Sequence, residues 1–139
     1  MTIKEIQNEI IDEFSMFDDW MQRYEYIIEL GKSLPLIKEE YKTDENLIKG
    51  CQSKVWLQGE QNDDKIVFTA DSDAILTKGI IAILIRTFSN QKASDILEAD
   101  TKFIDDIGLK EHLSPTRANG LVSMIKQIKM YALAFSAKN

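Results

Sequence analysis

Hydrophobic side chains recur at helical spacing along much of the chain. Residues 2–17 and residues 20–31 each carry an apolar stripe with a period of three to four positions, which predicts two amphipathic helices. Asp18 or Asp19 is the expected N-cap of the second helix. Residues 74–88 are apolar on nearly all sides, and such a helix is usually buried in the core. A long final helix is predicted to begin at Pro115, directly after the favourable N-cap Ser114.

Polar residues predict where the middle helices begin. The segment Asp71-Ser72-Asp73 precedes the apolar helix and is expected to cap it with acidic groups at the positive end of the helix dipole. Ser94 and Thr101 are expected to cap two short helices. Gly79 lies inside the apolar helix, where glycine costs about 1 kcal/mol relative to alanine. We therefore expect close packing against another backbone there, with the sheet as one candidate.

The middle of the chain predicts a small sheet. Residues 54–58 and 65–70 favour strands, and the turn formers at 59–64 predict that the two strands form a hairpin. A hairpin alone is marginally stable, so a third strand or covering helices must support it. Residues 46–49 are one candidate for extending the sheet. The order of elements predicts a single α+β domain over residues 1–139, with a small antiparallel sheet of about three strands covered by helices.

Composition and charge narrow the classes of partner. Residues 1–49 carry twelve acidic and six basic side chains, which accounts for the whole net charge of −6, and residues 50–139 are balanced. An acidic chain without a basic stripe is a poor nucleic-acid binder. The longest apolar run, residues 79–85, is far shorter than the ~20 residues of a membrane span. The acidic end either faces a protein partner or is a solvated surface.

The inventory of chemically active side chains is short. The chain contains one cysteine and one histidine, which cannot form a structural zinc site of the usual type. Iron–sulfur clusters are normally held by several cysteines, and nothing in the sequence signals a nucleotide site. We therefore expect no metal and no cofactor. Without a possible disulfide, a reducing cytoplasm is the expected compartment.

The one cysteine, Cys51, directly follows Gly50. Glycine adopts positive φ without steric cost, so the chain can bend there and present the thiol at the tip of a loop. A lone cysteine is otherwise most often a small buried hydrophobe. His112 could act as a base toward the thiol, but it lies just before a helix cap, where a locally bonded histidine is the ordinary outcome.

The sequence around the cysteine resembles a known motif. Residues 50–56 read Gly-Cys-Gln-Ser-x-Val-Trp, which resembles the motif of the SufE family, sulfur-acceptor partners of cysteine desulfurases in iron–sulfur cluster assembly. Two further blocks agree in order and spacing. They are Ala70-Asp71-Ser72-Asp73-Ala74 with Lys78-Gly79, and Leu113-Ser114-Pro115-Thr116-Arg117-Ala118-Asn119-Gly120.

This resemblance implies a SufE/IscU-like fold and a sulfur-transfer function. Cys51 would accept persulfide sulfur from a SufS-like, pyridoxal-phosphate-dependent cysteine desulfurase, stimulate that enzyme, and pass the sulfur to an iron–sulfur scaffold. No independent turnover is expected. The resemblance places the docking surface near the cysteine loop and the start of the last helix. The residues expected to shape the loop or bind the partner are Gly50, Gln52, Ser53, Asp73 and Arg117.

Two alternatives and one question of reactivity stay open at this point. The chain could activate the desulfurase by binding alone, with Cys51 a spectator, or it could be a cysteine-based redox enzyme, which the missing base and the missing second thiol disfavour. Lys49 and Lys54 would favour the thiolate, whereas the apolar neighbours of the loop would shelter the thiol and raise its pKa. We expect a monomer or a weak homodimer.

Overall fold

The computed structural model describes residues 1–138. Within them the α-helices are α1 (Ile3–Phe14), α2 (Trp20–Gly31), α3 (Ile75–Phe88), α4 (Ala93–Glu98), α5 (Lys102–Asp106), α6 (Leu109–His112) and α7 (Pro115–Lys138). The strands are β1 (Val55–Asn62), β2 (Lys65–Ser72) and β3 (Gln91–Lys92). Two short 3-10 helices, Glu39–Tyr41 and Asp44–Asn46, lie between α2 and β1.

The hairpin of β1 and β2 is longer than the sequence predicts. The two strands pair antiparallel from Val55 opposite Ser72 to Asn62 opposite Lys65. The turn therefore needs only two residues, and its first, Asp63, takes a φ of 58°. A two-residue turn is the commonest hairpin connection. The remaining polar residues of the predicted loop continue the ladder as an exposed strand end.

The third strand lies later in the chain than the candidate segment at residues 46–49. β3 pairs antiparallel with β2, which gives the strand order β1-β2-β3. Residues 46–49 contribute a single antiparallel bridge, between Leu47 and Trp56. The predicted fold class, α+β with a small antiparallel sheet of about three strands covered by helices, is confirmed.

Helix α3 is the centre of the core. Eleven of its fourteen residues are buried, and it contacts α1, α2, α7 and β2. Each fully buried isoleucine or leucine contributes roughly 1.5–3 kcal/mol relative to an exposed position. The nearly all-round apolar pattern therefore corresponds to a helix that is covered on most of its surface, as predicted.

Gly79 and Gly31 allow α3 to approach α2 closely. A Cβ atom on Gly79 would lie 2.1 Å from the carbonyl oxygen of Ile27, and one on Gly31 would lie 3.0 Å from the backbone nitrogen of Gly79. The predicted close packing of backbones at Gly79 is confirmed. The neighbour is helix α2 and not the sheet.

The predicted cap of α3 is wrong. Strand β2 continues through Ser72, and Ala74 occupies the N-cap without a side-chain hydrogen bond. The carboxylates of Asp71 and Asp73 bind other parts of the chain instead, as described below. The predicted cap at Ser94 is also wrong, because α4 already begins one residue earlier.

Of the two candidate N-caps of the second helix, Asp18 and Asp19, the structure has Asp19, and the N-cap predicted at Ser114 is confirmed. Both N-cap side chains accept a hydrogen bond from the backbone N–H three residues further on. Helix α7 begins at Pro115 and contacts α3, α4 and β1, which brings its first turns beside the loop that precedes β1. Neither α7 nor any other helix among the described residues is long and apolar enough to cross a membrane.

Candidate functional site

The cysteine loop, residues 49–54, is closed at its base by the sheet. The backbone N–H of Ile48 donates to the carbonyl of Val55 over 2.8 Å, and both side chains are buried. Gly50 takes a φ of 91°, a conformation that L-residues rarely adopt. The bend predicted at Gly50 is therefore present, and it turns the following residue, Cys51, toward α7.

Asp73 holds the second arm of the loop. Its carboxylate accepts a hydrogen bond from the N–H of Lys54 over 3.0 Å, and its own N–H donates to the carbonyl of Lys54 over 3.2 Å. A hydrogen bond to an ionised carboxylate is stronger than one between neutral groups. The structure thus places this predicted site residue at the loop, in a position to shape it.

Cys51 lies against α7 at a glycine. Its Sγ is 3.6 Å from the carbonyl oxygen of Gly120, to which the thiol donates a weak hydrogen bond. A Cβ on Gly120 would lie at an ordinary van der Waals distance of 3.4 Å from the same sulfur, so the thiol packs directly against α7 at this position. The thiol is half-buried, and burial raises its pKa above the usual value. It is therefore protonated at neutral pH, as expected for a sheltered thiol.

A cavity of about 320 Å³ opens beside the thiol. The loop contributes one wall, α3 the floor and the first turns of α7 the other wall. Its lining residues are Cys51, Gln52, Ser53, Thr77, Ile80, Thr116, Arg117, Gly120 and Met124. Three hydroxyls, one carboxamide and one guanidinium share the lining with the apolar side chains of Ile80 and Met124, a mixture that suits a small, polarisable anion.

The predicted site residues are mostly brought together. Gln52, Ser53 and Arg117 line the cavity with the cysteine, and Gly50 and Asp73 shape the loop. Arg117 is exposed in the first turn of α7, and the ion pairs among residues 1–138 do not include it.

His112 is not placed to act on the thiol. Its Nδ1 lies 2.9 Å from the carbonyl oxygen of Gly108. Its ring stacks on Trp20 with centroids 4.2 Å apart, and it does not line the cavity. Lys49 and Lys54 also lie outside the cavity lining. Of the two possibilities for the thiol, sheltering is the one that the geometry favours.

Sequence reasoning missed the part of the site that α3 contributes. Thr77 reaches the cavity from the first turn of the mostly apolar helix α3, and a hydroxyl in such a helix was the available signal, although Thr87 gives the same signal without lining the cavity. It also missed the ion cluster of Asp71, which pairs with Lys42 over 2.7 Å and with Lys78 over 3.3 Å. Burial acts to raise the pKa of Asp71, but the hydrogen bonds from Lys42, the Ser72 N–H and Lys78 together hold it below the usual value.

The fold and site together define a class: a small α+β protein that presents one thiol at the mouth of a partly enclosed cavity. The SufE family model, an Fe-S metabolism associated domain, matches residues 8–132. The chain belongs to the SufE family, and its role lies in iron–sulfur metabolism.

Two relatives from rhizobia cover most of the chain. One, named an uncharacterized SufE-like protein, comes from Rhizobium meliloti (strain 1021) and is 46% identical over 130 residues, which span 90% of this chain and 93% of the relative. A second SufE-like protein, from Rhizobium etli, is 45% identical over 127 residues, 88% of this chain and 86% of the relative.

A solved structure supports the fold. The solution structure of a hypothetical protein from Thermus thermophilus has a TM-score of 0.77 and covers 93% of this chain and 94% of that chain. The two sequences are 15% identical, so the likeness concerns the fold alone.

Proposed function

We propose that this chain accepts sulfur from a pyridoxal-phosphate-dependent cysteine desulfurase of the SufS-like kind and carries it on Cys51 as a persulfide. The observation that carries the proposal is the position of the thiol. The only cysteine of the chain sits on a positive-φ bend, half-buried, at a cavity lined by hydroxyls and one guanidinium. Such a cavity can hold a second sulfur atom and shield it in part from solvent.

The transfer is an exchange between sulfur atoms without net oxidation. The thiolate of Cys51 attacks the outer sulfur of the desulfurase persulfide, the sulfur–sulfur bond of the desulfurase breaks, and its cysteine leaves as a thiolate. The outer sulfur is then bonded to Cys51. A second cysteine nearby would attack this product and discharge the sulfur by forming a disulfide, so a single cysteine suits a carrier.

The resting geometry requires the loop to move before transfer. A half-buried thiol whose pKa burial has raised is a poor nucleophile at neutral pH, because the thiolate is the reactive form. A partner that binds the open loop better than the closed one shifts the population toward the open loop. Docking near Gln52, Ser53 and Arg117 would couple binding to exposure of Cys51.

Stimulation of the desulfurase follows from removal of its product. Once the persulfide sulfur has moved to Cys51, the desulfurase thiol is free for another turnover. The carrier then gives the sulfur to an iron–sulfur scaffold by a second exchange of the same kind. In this scheme the chain itself turns over no substrate.

The test is intact-protein mass spectrometry after incubation with a desulfurase and cysteine. We expect the mass of the wild-type chain to rise by one sulfur atom, with desulfurase turnover increased. Cys51→Ser is expected to fold normally, because its hydroxyl can donate to the Gly120 carbonyl as the thiol does, and to accept no sulfur.

The same experiment separates the alternatives. Stimulation by Cys51→Ser at the wild-type level would identify an adaptor that works by binding alone. Sulfur acceptance by the serine variant would end the carrier proposal.

A further inference from the structure

Thr77 is a hydroxyl in an unusual position. It lies in the apolar helix α3, it is 7% exposed, and it lines the cavity beside the cysteine. None of the side-chain hydrogen bonds of the described residues involves its hydroxyl. No buried side-chain polar atom of the described residues lacks a hydrogen-bond partner, so the Thr77 hydroxyl must be open to the cavity, where it can donate to a group that enters.

Thr87 on the same helix shows the ordinary arrangement. It is fully buried, and its hydroxyl donates to the carbonyl of Ile83 over 2.9 Å. That hydrogen bond reaches back one helical turn, to the carbonyl four residues earlier, and satisfies the hydroxyl donor. Thr77 makes no such bond, and its hydroxyl proton is free for a group in the cavity.

The resting thiol does not need this donor. Cys51 uses its own proton toward the carbonyl of Gly120. A persulfide does need a hydrogen-bond donor. Its outer sulfur lies about 2 Å beyond Sγ, and a persulfide is a stronger acid than a thiol. The outer sulfur is therefore an anion, which a carbonyl oxygen repels and a hydroxyl donor attracts.

We propose that the hydroxyl of Thr77 is the internal hydrogen-bond donor to the outer sulfur of the Cys51 persulfide. The inference rests on the proposed function and deepens it, because it assigns a positioning residue for the carried sulfur. Arg117 at the cavity rim supplies positive charge from the opposite wall. Together the two groups stabilise a charged sulfur in a space that Ile80 and Met124 make apolar on part of its lining.

The donor has a consequence for the lifetime of the carried sulfur. A hydrogen bond to the anion lowers the persulfide pKa, and it also lowers the reactivity of the sulfur toward electrophiles while the loop is closed. Opening of the loop breaks this bond and restores reactivity. Thr77 thus favours storage in the closed loop and delivery from the open one.

The test compares three variants of the full chain, each loaded chemically so that no desulfurase is needed. Cys51 is first converted to a mixed disulfide with an aromatic thiol. Hydrosulfide ion then displaces that thiol and leaves the persulfide on Cys51. The readout is the pH midpoint for alkylation of the persulfide by iodoacetamide, followed by mass spectrometry, beside the same profile for the unloaded thiol.

Thr77→Val keeps the shape of the side chain and removes the donor. We expect the persulfide midpoint to rise by about one pH unit, a tenfold change in the ionisation constant, while the midpoint of the unloaded thiol stays where it is. Thr77→Ser keeps the hydroxyl and is expected to restore the wild-type midpoint. Thr87→Val removes a buried hydroxyl on the same helix outside the cavity, and it is expected to leave both midpoints unchanged.

Two results would contradict the assignment of Thr77 as the donor. An unchanged persulfide midpoint in a folded Thr77→Val chain would overturn the assignment, and so would an equal rise for thiol and persulfide, because Thr77 would then act on Sγ. Thr77→Ala carries the same expectation if the valine variant does not fold. Failure of a desulfurase to load Cys51 would count against the proposed function and would leave this measurement unaffected.

Discussion

In the interior, Gly31 and Gly79 bring helices α2 and α3 together, whereas at the surface Gly50 allows the cysteine loop to lie against α7, with the thiol at Gly120. A Cβ on Gly79 would meet the backbone of Ile27 at 2.1 Å. A Cβ on Gly50 would meet the side-chain oxygen of Ser123 at 2.6 Å, and one on Gly120 would lie at an ordinary 3.4 Å from the sulfur.

The two contacts differ in how easily the neighbouring atoms can move to make room for a Cβ atom. Backbone atoms inside a helix pair cannot move without separating the helices, and interiors are packed to nearly crystalline density. A serine side chain can rotate, and a loop can shift, at small cost. We therefore expect the interior pair to control stability and the surface pair to control the position of the thiol.

The largest expected effect is that of Gly79→Ala. The new methyl group cannot coexist with the Ile27 carbonyl, so α2 and α3 must separate. Overpacking of this kind costs about 3 kcal/mol or more, which the better helix propensity of alanine offsets by only about 1 kcal/mol. Urea unfolding of the variant measures the loss.

The matched control is Gly31→Ala, whose contacts begin at 3.0 Å and which should cost less. A Gly79→Ala chain as stable as the wild type would mean that the two helices can slide past each other.

This comparison also shows how far the sequence predicts the fold. The apolar period of α3, the N-cap at Asp19 and the Pro115 start are local signals, and local signals identified these elements correctly. The partner of Gly79 depends on which helix crosses there, and no local pattern contains that information. The β3 strand has two residues, too few for any periodicity.

The candidate site likewise has parts that local sequence signals predicted and parts that depend on three-dimensional packing. The Gly-Cys pair at residues 50–51 and the resemblance of its surroundings identified the loop, and the block that begins the last helix supplied Arg117. Two roles were predicted for Asp73: the cap of α3 is wrong, whereas its carboxylate does bind the cysteine loop. The contribution of Thr77 required the packing of α3 under the loop, which only three-dimensional contacts reveal.

The second effect in size is expected for Gly50→Val. A β-branched residue at a φ of 91° costs roughly 1–3 kcal/mol if the loop keeps its conformation, and the loop can relax to avoid most of this. Sulfur loading should therefore suffer more than stability. Loading by a desulfurase and the urea midpoint, measured side by side, separate the two.

Two further variants separate the possible causes of a loading defect, which are the clash with Ser123 and the unfavourable backbone conformation. Gly50→Ala retains the unfavourable φ and the contact with Ser123, and adding Ser123→Ala removes only the contact. Recovery of loading in the double variant would assign the defect to the clash, and no recovery would assign it to the backbone. Loading of Gly50→Val at the wild-type level would mean that the glycine is merely tolerated.

A smaller effect is expected for Gly120→Ala. Its Cβ would sit at van der Waals distance from the Cys51 sulfur, and alanine favours the helix by up to about 1 kcal/mol. Stability should be unchanged or slightly increased. The rate of alkylation of Cys51 at neutral pH should change by less than about tenfold, equivalent to about 1.4 kcal/mol. A loss of stability would show that α7 is packed as tightly at this point as α3 is at Gly79.

The smallest effect on stability is expected for Arg117→Ala. A cation in the first turn of α7 opposes the helix dipole by roughly 0.3–1 kcal/mol, and no carboxylate among residues 1–138 forms an ion pair with it. The melting temperature should hold or rise slightly. If Arg117 meets a carboxylate of the desulfurase, affinity should fall, and the wild type should lose affinity with salt more steeply than the variant.

Lys126→Ala is the matched control for this surface. It removes one positive charge from an exposed position of the same helix outside the cavity lining, so it reports the general effect of charge on the encounter. Calorimetric titration of both variants with the desulfurase at two salt concentrations, beside their melting curves, decides the role of Arg117. Unchanged affinity with a lowered melting temperature would make Arg117 part of the scaffold. The surface glycine contact would then position the thiol without any help from the arginine at its rim.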